Sequence, residues 1–509
     1  MFVNSATSEI NIFLNYIPLI TLVSFIFGLI IAMGSRLYYG NHQFYSSLIK
    51  NLMSYLLCIN FFFVLIKFIL QIIYLYDSTK NLNILHVTIW QTTITYQWNF
   101  FGTSLLLLCY ITSMICLFYL GDRHLFNNNL SVYFFFLFLV CTTFMTTTTN
   151  LLTMFLCFEG IFLPSIYFVF KLGYVKKVDK TIFFLVTWTL MGSLLVLFVL
   201  SYILATVGSL NFNVLSKTQF TAKEQIYIYL CLFIGYGVKI PLFPFHYWLT
   251  KVHVEAPAGF SIFLSGFLVK TAAYCFYYIH LLFASTTLKL ILLLWVIIGI
   301  IESSLKMWSQ LDIKKLIAFA TIQEMNMIMI CLLLFNQINI NITSVFFLLH
   351  GLLSTYMFLL VEQIQKRTQT RNILELSGIG ILYPFLRNFI WFLLILFLGF
   401  PGTTKFAIEW HIGFLLVTLL HWVGFVTFCI ALIAGGIGFT KCWFLILYGN
   451  ISPDAQAEMH THDLFFKDQL IFYLLIFLMF LLTPLLLLVF EYKNKQSWYT
   501  NTNTYNKSR

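Results

Sequence analysis

Charge is scarce in this sequence: Asp, Glu, Lys and Arg together make up 9% of its 509 residues. A soluble domain carries about 25%, so an ordinary water-facing surface is excluded and the chain is expected to be dissolved in lipid. Cysteine is present but never clustered. Its 10 residues include no C-x-x-C pair, and iron–sulfur and structural zinc sites need grouped thiolates, so neither is expected. His460 and His462 read as ordinary loop residues rather than metal ligands. Early basic residues are missing too. None precedes Arg36, which argues against an arginine-rich transit peptide. Proline numbers only 9, and each one inside an apolar run interrupts a helix.

What is there is apolar and aromatic. Hydrophobic residues make up 60% of the chain. Runs such as Ile10–Met33, Asn51–Tyr76 and Gln469–Phe490 reach the roughly 20 residues that a spanning helix needs. Cut this way throughout, the chain yields about fourteen spans, an all-α polytopic membrane protein. The net charge of +11 would raise nucleic acid as a partner in a soluble protein. Here the basic residues lie mostly in short loops, where they set orientation, and no nucleic acid is expected. Loops after odd-numbered spans hold most of them, from Arg36 and Lys50 through Lys176 and Lys177 to Arg371 and Lys441. Loops after even spans hold Lys80, Lys217, Lys223 and Lys289. The odd loops are therefore assigned to the matrix or cytoplasmic side, although the basic tail (Lys493, Lys495, Lys507 and Arg509) runs against that pattern. The 58 Phe and 28 Tyr, with Lys far outnumbering Arg, are residues of AT-rich codons and point to a gene inside an AT-rich organelle.

Two spans are interrupted. One runs from about Glu224 to Leu249 and contains Lys239, Pro241 and Pro244; the other begins near Arg387 and is broken at Phe400-Pro401-Gly402-Thr403, with Glu409 just beyond. Each helix should unwind at its proline, and the freed carbonyls must then be met by protein or water. Paired broken helices mark ion pathways in transporters. Glu159 precedes Pro241 by 82 positions and Glu324 precedes Pro401 by 77. This spacing predicts two five-helix repeats, inverted with respect to each other because the repeat has an odd number of helices. The expected organisation is residues 1–129 for the first three spans, 130–283 and 284–450 for the two repeats, and 451–509 for a loop, the last span and a polar tail. The β-branched and aromatic alternation from His86 to Trp98 predicts a short strand pair, or an interfacial aromatic belt.

Charges inside lipid cost about 2.5–3.5 kcal/mol each on insertion scales, so they are rare and usually functional. This chain has several: Glu159, Lys239, Lys270, Glu324, His350 and Glu409. Burial favours a neutral lysine and a nearby carboxylate favours a charged one, so a small movement of the partner can switch it. Six such groups in one bundle, two beside helix breaks, read as a proton relay rather than as static packing pairs. Other charges read as ordinary. Lys67 is expected on a lipid-facing span, to snorkel or to meet a neighbouring subunit, Lys405 is expected to pair with Glu409 one turn on, Glu362 lies near a helix end, and Glu302 stays outside the set.

The segment KIPLFPFHYWLTKVHVEAP, from Lys239 to Pro257, resembles the K-x-P…H-x-W-L-x-x-A-H-x-x-A-P pattern of the antiporter-like subunits of respiratory complex I. In that family a lysine follows in the next span, where this chain has Lys270. Leu311–Ala320 and His350–Ser354 resemble two further family segments, and the likeness runs from about Phe155 to Lys441. The acid after the second break, Glu409, points to the subunit-4 branch, as does the apparent lack of a long lateral helix. The resemblance implies that Glu159 and Lys239 form a gating pair, Lys270 a central relay, His350 a bridge along a hydrophilic axis and Glu409 the exit. Span ten departs from the family: a histidine is usual there and Glu324 stands in its place.

The resemblance further implies a proton-translocating membrane-arm subunit of an NADH:ubiquinone reductase in the mitochondrial inner membrane. Its partners would be other membrane-arm subunits, including neighbouring antiporter-like ones, and lipids. NAD, FMN, iron–sulfur clusters and ubiquinone would belong to partner subunits, and this chain would hold no cofactor. Two other readings are a subunit of a multi-subunit sodium/proton antiporter and a structural subunit that does not pump.

Overall fold

A backbone in lipid has no water to bond to, so each spanning segment must satisfy its own N–H and C=O groups, as an α-helix does. The computed structural model describes residues 42–75, 85–89, 92–96, 99–120, 129–173, 178–284, 286–334, 337–449 and 462–505. Among them are helices and one two-stranded hairpin. Ten of the described helices are long and apolar enough to cross a membrane; Tyr133–Thr147 and Pro384–Phe397 are shorter apolar helices. The chain is thus the all-helical, multi-pass membrane protein expected from composition. The first apolar run, Ile10–Met33, and His460 lie outside the described residues. The described residues form two units, one drawn from 1–69 and 81–299, the other from 70–80 and 300–509.

The first unit opens with α1 (His42–Leu75), then the antiparallel strands β1 (Leu85–Ile89) and β2 (Thr92–Tyr96), with Leu85 opposite Tyr96 and Ile89 opposite Thr92. This is the strand pair that the alternation of β-branched residues predicts. There follow α2 (Phe100–Leu120), α3 (Asn129–Thr147), α4 (Leu151–Leu172), α5 (Val178–Val207) and the single turn α6 (Phe212–Leu215). The interrupted span is α7 (Ala222–Lys239) and α8 (Tyr247–Glu255). Beyond it, α9 (Ala258–Phe263) passes through a π-turn (Leu264–Leu268) into α10 (Val269–Phe283), which α11 (Thr286–Met307) follows. Leu156, Leu163, Phe170, Leu194 and Phe198 stand exposed on α4 and α5, an apolar face suited to lipid. Lys67 departs from expectation: it is 1% exposed, buried within the protein rather than turned to lipid.

α5 and α7 approach closely because glycine faces glycine. A Cβ on Gly192 would lie 2.6 Å from the Gly235 carbonyl oxygen, so any side chain there would force the helices apart. That contact seats the helix whose last residue is Lys239. The start of α4 is fixed as well. Asn150 caps it by accepting from Leu152 N at 2.9 Å, and its amide donates to Asn211 Oδ1 at 3.0 Å.

The second unit contains α12 (Ile313–Leu333), α13 (Gln337–Thr368), the turn α14 (Ile379–Leu382), α15 (Pro384–Phe397), α16 (Thr404–Tyr448) and α17 (Phe466–Tyr505). α16 is two helices joined at His421, whose φ of 50° and ψ of −128° reverse the backbone. Its local plan repeats that of the first unit. Asp312 caps α12 by accepting from Lys314 N at 2.9 Å, and forms an isolated bridge with Asn372. Asn150 forms the corresponding bridge with Asn211. In both units the capped helix carries a glutamate paired with a lysine: Glu159, half-buried, with Lys239, and Glu324, buried, with Lys405. Elsewhere Lys306 pairs with Glu302, and Lys366 with Glu362 at 3.3 Å, each one helical turn apart. His462 is exposed, and its carbonyl accepts from Arg367 Nε at 3.3 Å.

Losing an N-cap costs about 0.5–2 kcal/mol. Asn150→Ala and Asp312→Ala are each expected to lower the thermal midpoint of the detergent-solubilised protein while leaving its helix content at low temperature intact. Calorimetry and circular dichroism check this, and an unmoved midpoint would show that the caps carry no stability.

Candidate functional site

In the first unit the site begins with a helix break. Pro241 has no N–H to give to the carbonyl of Gly237, which instead accepts from Leu242 N at 2.9 Å. Two more carbonyls around the break are taken by indoles: Trp248 Nε1 donates to Val238 O at 2.8 Å and Trp295 Nε1 to Phe243 O at 2.6 Å. Three carbonyls at the interruption are thus bonded within the protein. The break leaves Lys239 as the last helical residue, its side chain 1% exposed.

Lys239 Nζ meets Glu159 Oε1 of α4 at 2.5 Å. The same carboxylate oxygen accepts from Ser193 Oγ of α5 at 2.8 Å. The ammonium also lies 4.2 Å from the ring centroid of Phe158 and 4.3 Å from that of Phe162, whose faces attract a cation. Glu159 keeps more exposure than its partner, 29% against 1%. One end of the pair can thus reach the edge of the unit while the other is enclosed.

Lys270 is buried on α10, which packs against α7. Its ammonium donates to Ser265 O at 2.7 Å, a carbonyl of the π-turn. A π-turn displaces the helical ladder by one residue and loosens its carbonyls. Nothing in Leu-Ser-Gly-Phe-Leu distinguishes this turn from ordinary helix, and the sequence did not reveal it. Further along the same helix, Tyr274 OH donates to Thr146 O at 2.8 Å, and Tyr278 OH accepts from Asn99 Nδ2 at 2.6 Å.

In the second unit Pro401 interrupts the span in the same way, because it cannot donate to Phe397 O. That carbonyl accepts instead from Lys405 Nζ at 2.5 Å. Lys405 Nζ also meets Glu324 Oε1 of α12 at 2.5 Å and Glu409 Oε1 at 3.4 Å, and lies 4.0 Å from the Phe397 ring centroid. Gly399, at φ +63°, makes room for the second acid: a Cβ there would come within 2.6 Å of Glu409 Oε2. His350 is buried on α13, which packs against α12.

Of the six residues singled out from the sequence, the structure joins Glu159 to Lys239, and gathers Glu324 and Glu409 about one cation. Lys270 and His350 are buried on neighbouring helices of their respective units. For the cation between the acids, Lys405, sequence spacing suggests only a local pair with Glu409. Its shorter contact is with Glu324, 81 residues earlier in the chain. The available signal was the unusual acid at Glu324, which calls for a buried base.

Residues 148–436 match the family described as NADH:quinone oxidoreductase/Mrp antiporter, transmembrane. NADH-ubiquinone oxidoreductase chain 4 of Paramecium tetraurelia is 35% identical over 444 residues, covering 84% of this chain and 93% of the relative. The Marchantia polymorpha protein of the same name is 30% identical over 266 residues, 52% of this chain and 54% of the relative, so that match spans about half of each. Among solved structures, the Mrp complex of Dietzia sp. contains a chain superposing with a TM-score of 0.80 at 14% identity, covering 94% of this chain and 96% of that one. Respiratory complex I from Thermus thermophilus contains another, with a TM-score of 0.74 at 17% identity and coverage of 92% and 95%. At such identities the structures speak for the fold, and the sequence matches speak for kinship: this chain belongs to the NADH:quinone oxidoreductase/Mrp antiporter transmembrane family and, within it, to the NADH-ubiquinone oxidoreductase chain 4 group.

Proposed function

We propose that this chain is the proton-translocating membrane-arm subunit of a respiratory complex I, in the mitochondrial inner membrane. The observation that carries the reading is the Lys239–Glu159 pair: an enclosed lysine at the end of a broken helix, held at 2.5 Å by a carboxylate on another helix. Removing one partner of a fully buried pair costs about 3–5 kcal/mol, and the 29% exposure of Glu159 lowers that figure here. A small displacement of α4 against α7 therefore changes the free energy of the charged lysine substantially, and that change is what moves a proton. With Glu159 at hand Lys239 holds its proton. With Glu159 withdrawn Lys239 passes it on.

In this scheme Glu159 and Lys239 gate, Lys270 relays, Glu324 and His350 carry the proton onward, and Glu409 releases it. The loops after odd-numbered spans, which hold most of the basic residues, face the matrix. NADH oxidation and ubiquinone reduction, with their FMN and iron–sulfur clusters, belong to partner subunits. Neighbouring antiporter-like subunits and lipids complete the surroundings. The AT-rich composition and the mitochondrial-type names of the Paramecium and Marchantia relatives support the location.

A second reading has a specific observation in its favour: the fold superposes on a chain of the Mrp complex with a TM-score of 0.80. As a subunit of a sodium/proton antiporter, the same relay would run without a redox partner. Gentle solubilisation of native membranes separates the two. Migration in a large assembly with NADH-oxidising activity is expected, whereas migration with small antiporter subunits and no flavoprotein would overturn the complex I reading.

Within the assembled complex in liposomes, Lys239→Met is expected to lower NADH-driven proton uptake by about tenfold or more, with Glu159→Gln close behind. Native-gel migration checks that the complex is intact. Wild-type uptake by intact Lys239→Met complex would remove the pair from the pathway.

A further inference from the structure

The second unit holds a cluster whose composition differs from the pair in the first: two glutamate side chains about one ammonium. A lysine ammonium has three protons to donate and no acceptor. For Lys405 the structure supplies Glu324 Oε1 at 2.5 Å, Phe397 O at 2.5 Å and Glu409 Oε1 at 3.4 Å. Lys405 and Glu324 are nearly enclosed, with side chains 4% and 6% exposed, and Glu409 is 11% exposed. The two acids are unequal. Glu324 is in close contact on another helix; Glu409 is farther away, on the same helix, and tethered within reach by its spacing of one turn. Gly399 leaves space against which Glu409 Oε2 rests. A packing pair needs a single acid, whereas this arrangement gives the cation two alternative seats.

We infer that Lys405 is a switched cation that alternates between Glu324 and Glu409, and that each full cycle of its movement carries one proton through the second unit. The inference rests on the reading of the chain as a proton-translocating subunit. With the ammonium on Glu324, that acid is a carboxylate and Glu409 is a carboxylic acid holding the proton. When the ammonium moves to Glu409, the Glu409 O–H bond breaks and its proton leaves along the exit. Glu324, now without its cation, forms an O–H bond with a proton delivered by the relay. As the ammonium returns to Glu324, the Glu324 O–H bond breaks, its proton passes to Glu409, and a new Glu409 O–H bond forms. Lys405 keeps its three protons throughout, so its charge is constant and only its position changes. Glu324, which stands where the family has a histidine, is in this scheme one of the two acids that take turns with the cation.

The test uses the assembled complex in liposomes, with proton uptake measured per NADH oxidised. Lys405→Met is expected to lower uptake by about tenfold or more. Lys405→Arg, which keeps a permanent positive charge, is expected to retain a substantial fraction, because the lysine never has to release a proton. Intact Lys405→Arg complex as inactive as Lys405→Met would overturn the switch, as would wild-type uptake by Lys405→Met. Should both Lys405 variants fail to assemble, Glu324→Gln keeps the shape of the acid and removes its charge. It is expected to pass no protons through this unit, and wild-type uptake by Glu324→Gln would equally overturn the inference. Lys239→Met, measured alongside, separates the two levels. If it abolishes uptake while the Lys405 and Glu324 variants do not, the switch alone falls. If none of them affects uptake, the proton-translocation reading falls with it.

Discussion

A charge buried in lipid must have its countercharge and its hydrogen bonds within reach, and the architecture around both broken helices follows from that constraint. Lys239 is held by Glu159 and two aromatic faces, and Lys405 by two acids, a carbonyl and an aromatic face. Each depends on a proline that interrupts its helix. The proline withholds a donor, a carbonyl becomes available, and nearby donors move in. At the second break the donor is the lysine itself. Unpaired backbone groups in lipid are costly, and around the breaks the carbonyls of Gly237, Val238, Phe243 and Phe397 all have donors.

The rest of each unit serves to hold those contacts. Paired glycines let α7 come against α5, which places Ser193 on the same carboxylate oxygen as Lys239. Polar caps at Asn150 and Asp312 fix the starting points of the helices that carry Glu159 and Glu324. A relay needs donor and acceptor positions set to within a fraction of an ångström, yet it also needs one contact that can lengthen. The unequal exposure of Glu159 and Lys239, and the unequal distances from Lys405 to its two acids, identify which contacts those are.

Much of this was legible in the sequence, because lipid simplifies the problem. Run length and apolarity mark the spans, proline marks the breaks, and any charge in a span stands out. The alternation from His86 to Trp98 announced the hairpin. Local spacing misled at Lys405, where an acid one turn away offered a sufficient partner and hid the one supplied by α12. Lys67 misled for a related reason: an apolar run does not say which of its faces turns inward. The π-turn at Ser265 left no mark, since nothing in Leu264–Leu268 distinguishes it from ordinary helix.

The central claim is that the Lys239–Glu159 contact opens and closes during turnover. Infrared difference spectroscopy of the assembled complex in lipid, recorded with and without NADH and quinone and compared with the Glu159→Gln variant, tests it most directly. A carboxyl signal that appears on turnover and vanishes in the variant is expected. A spectrum unchanged by the substitution, in a complex that still pumps, would mean that the pair is a fixed strut and that the proton travels elsewhere.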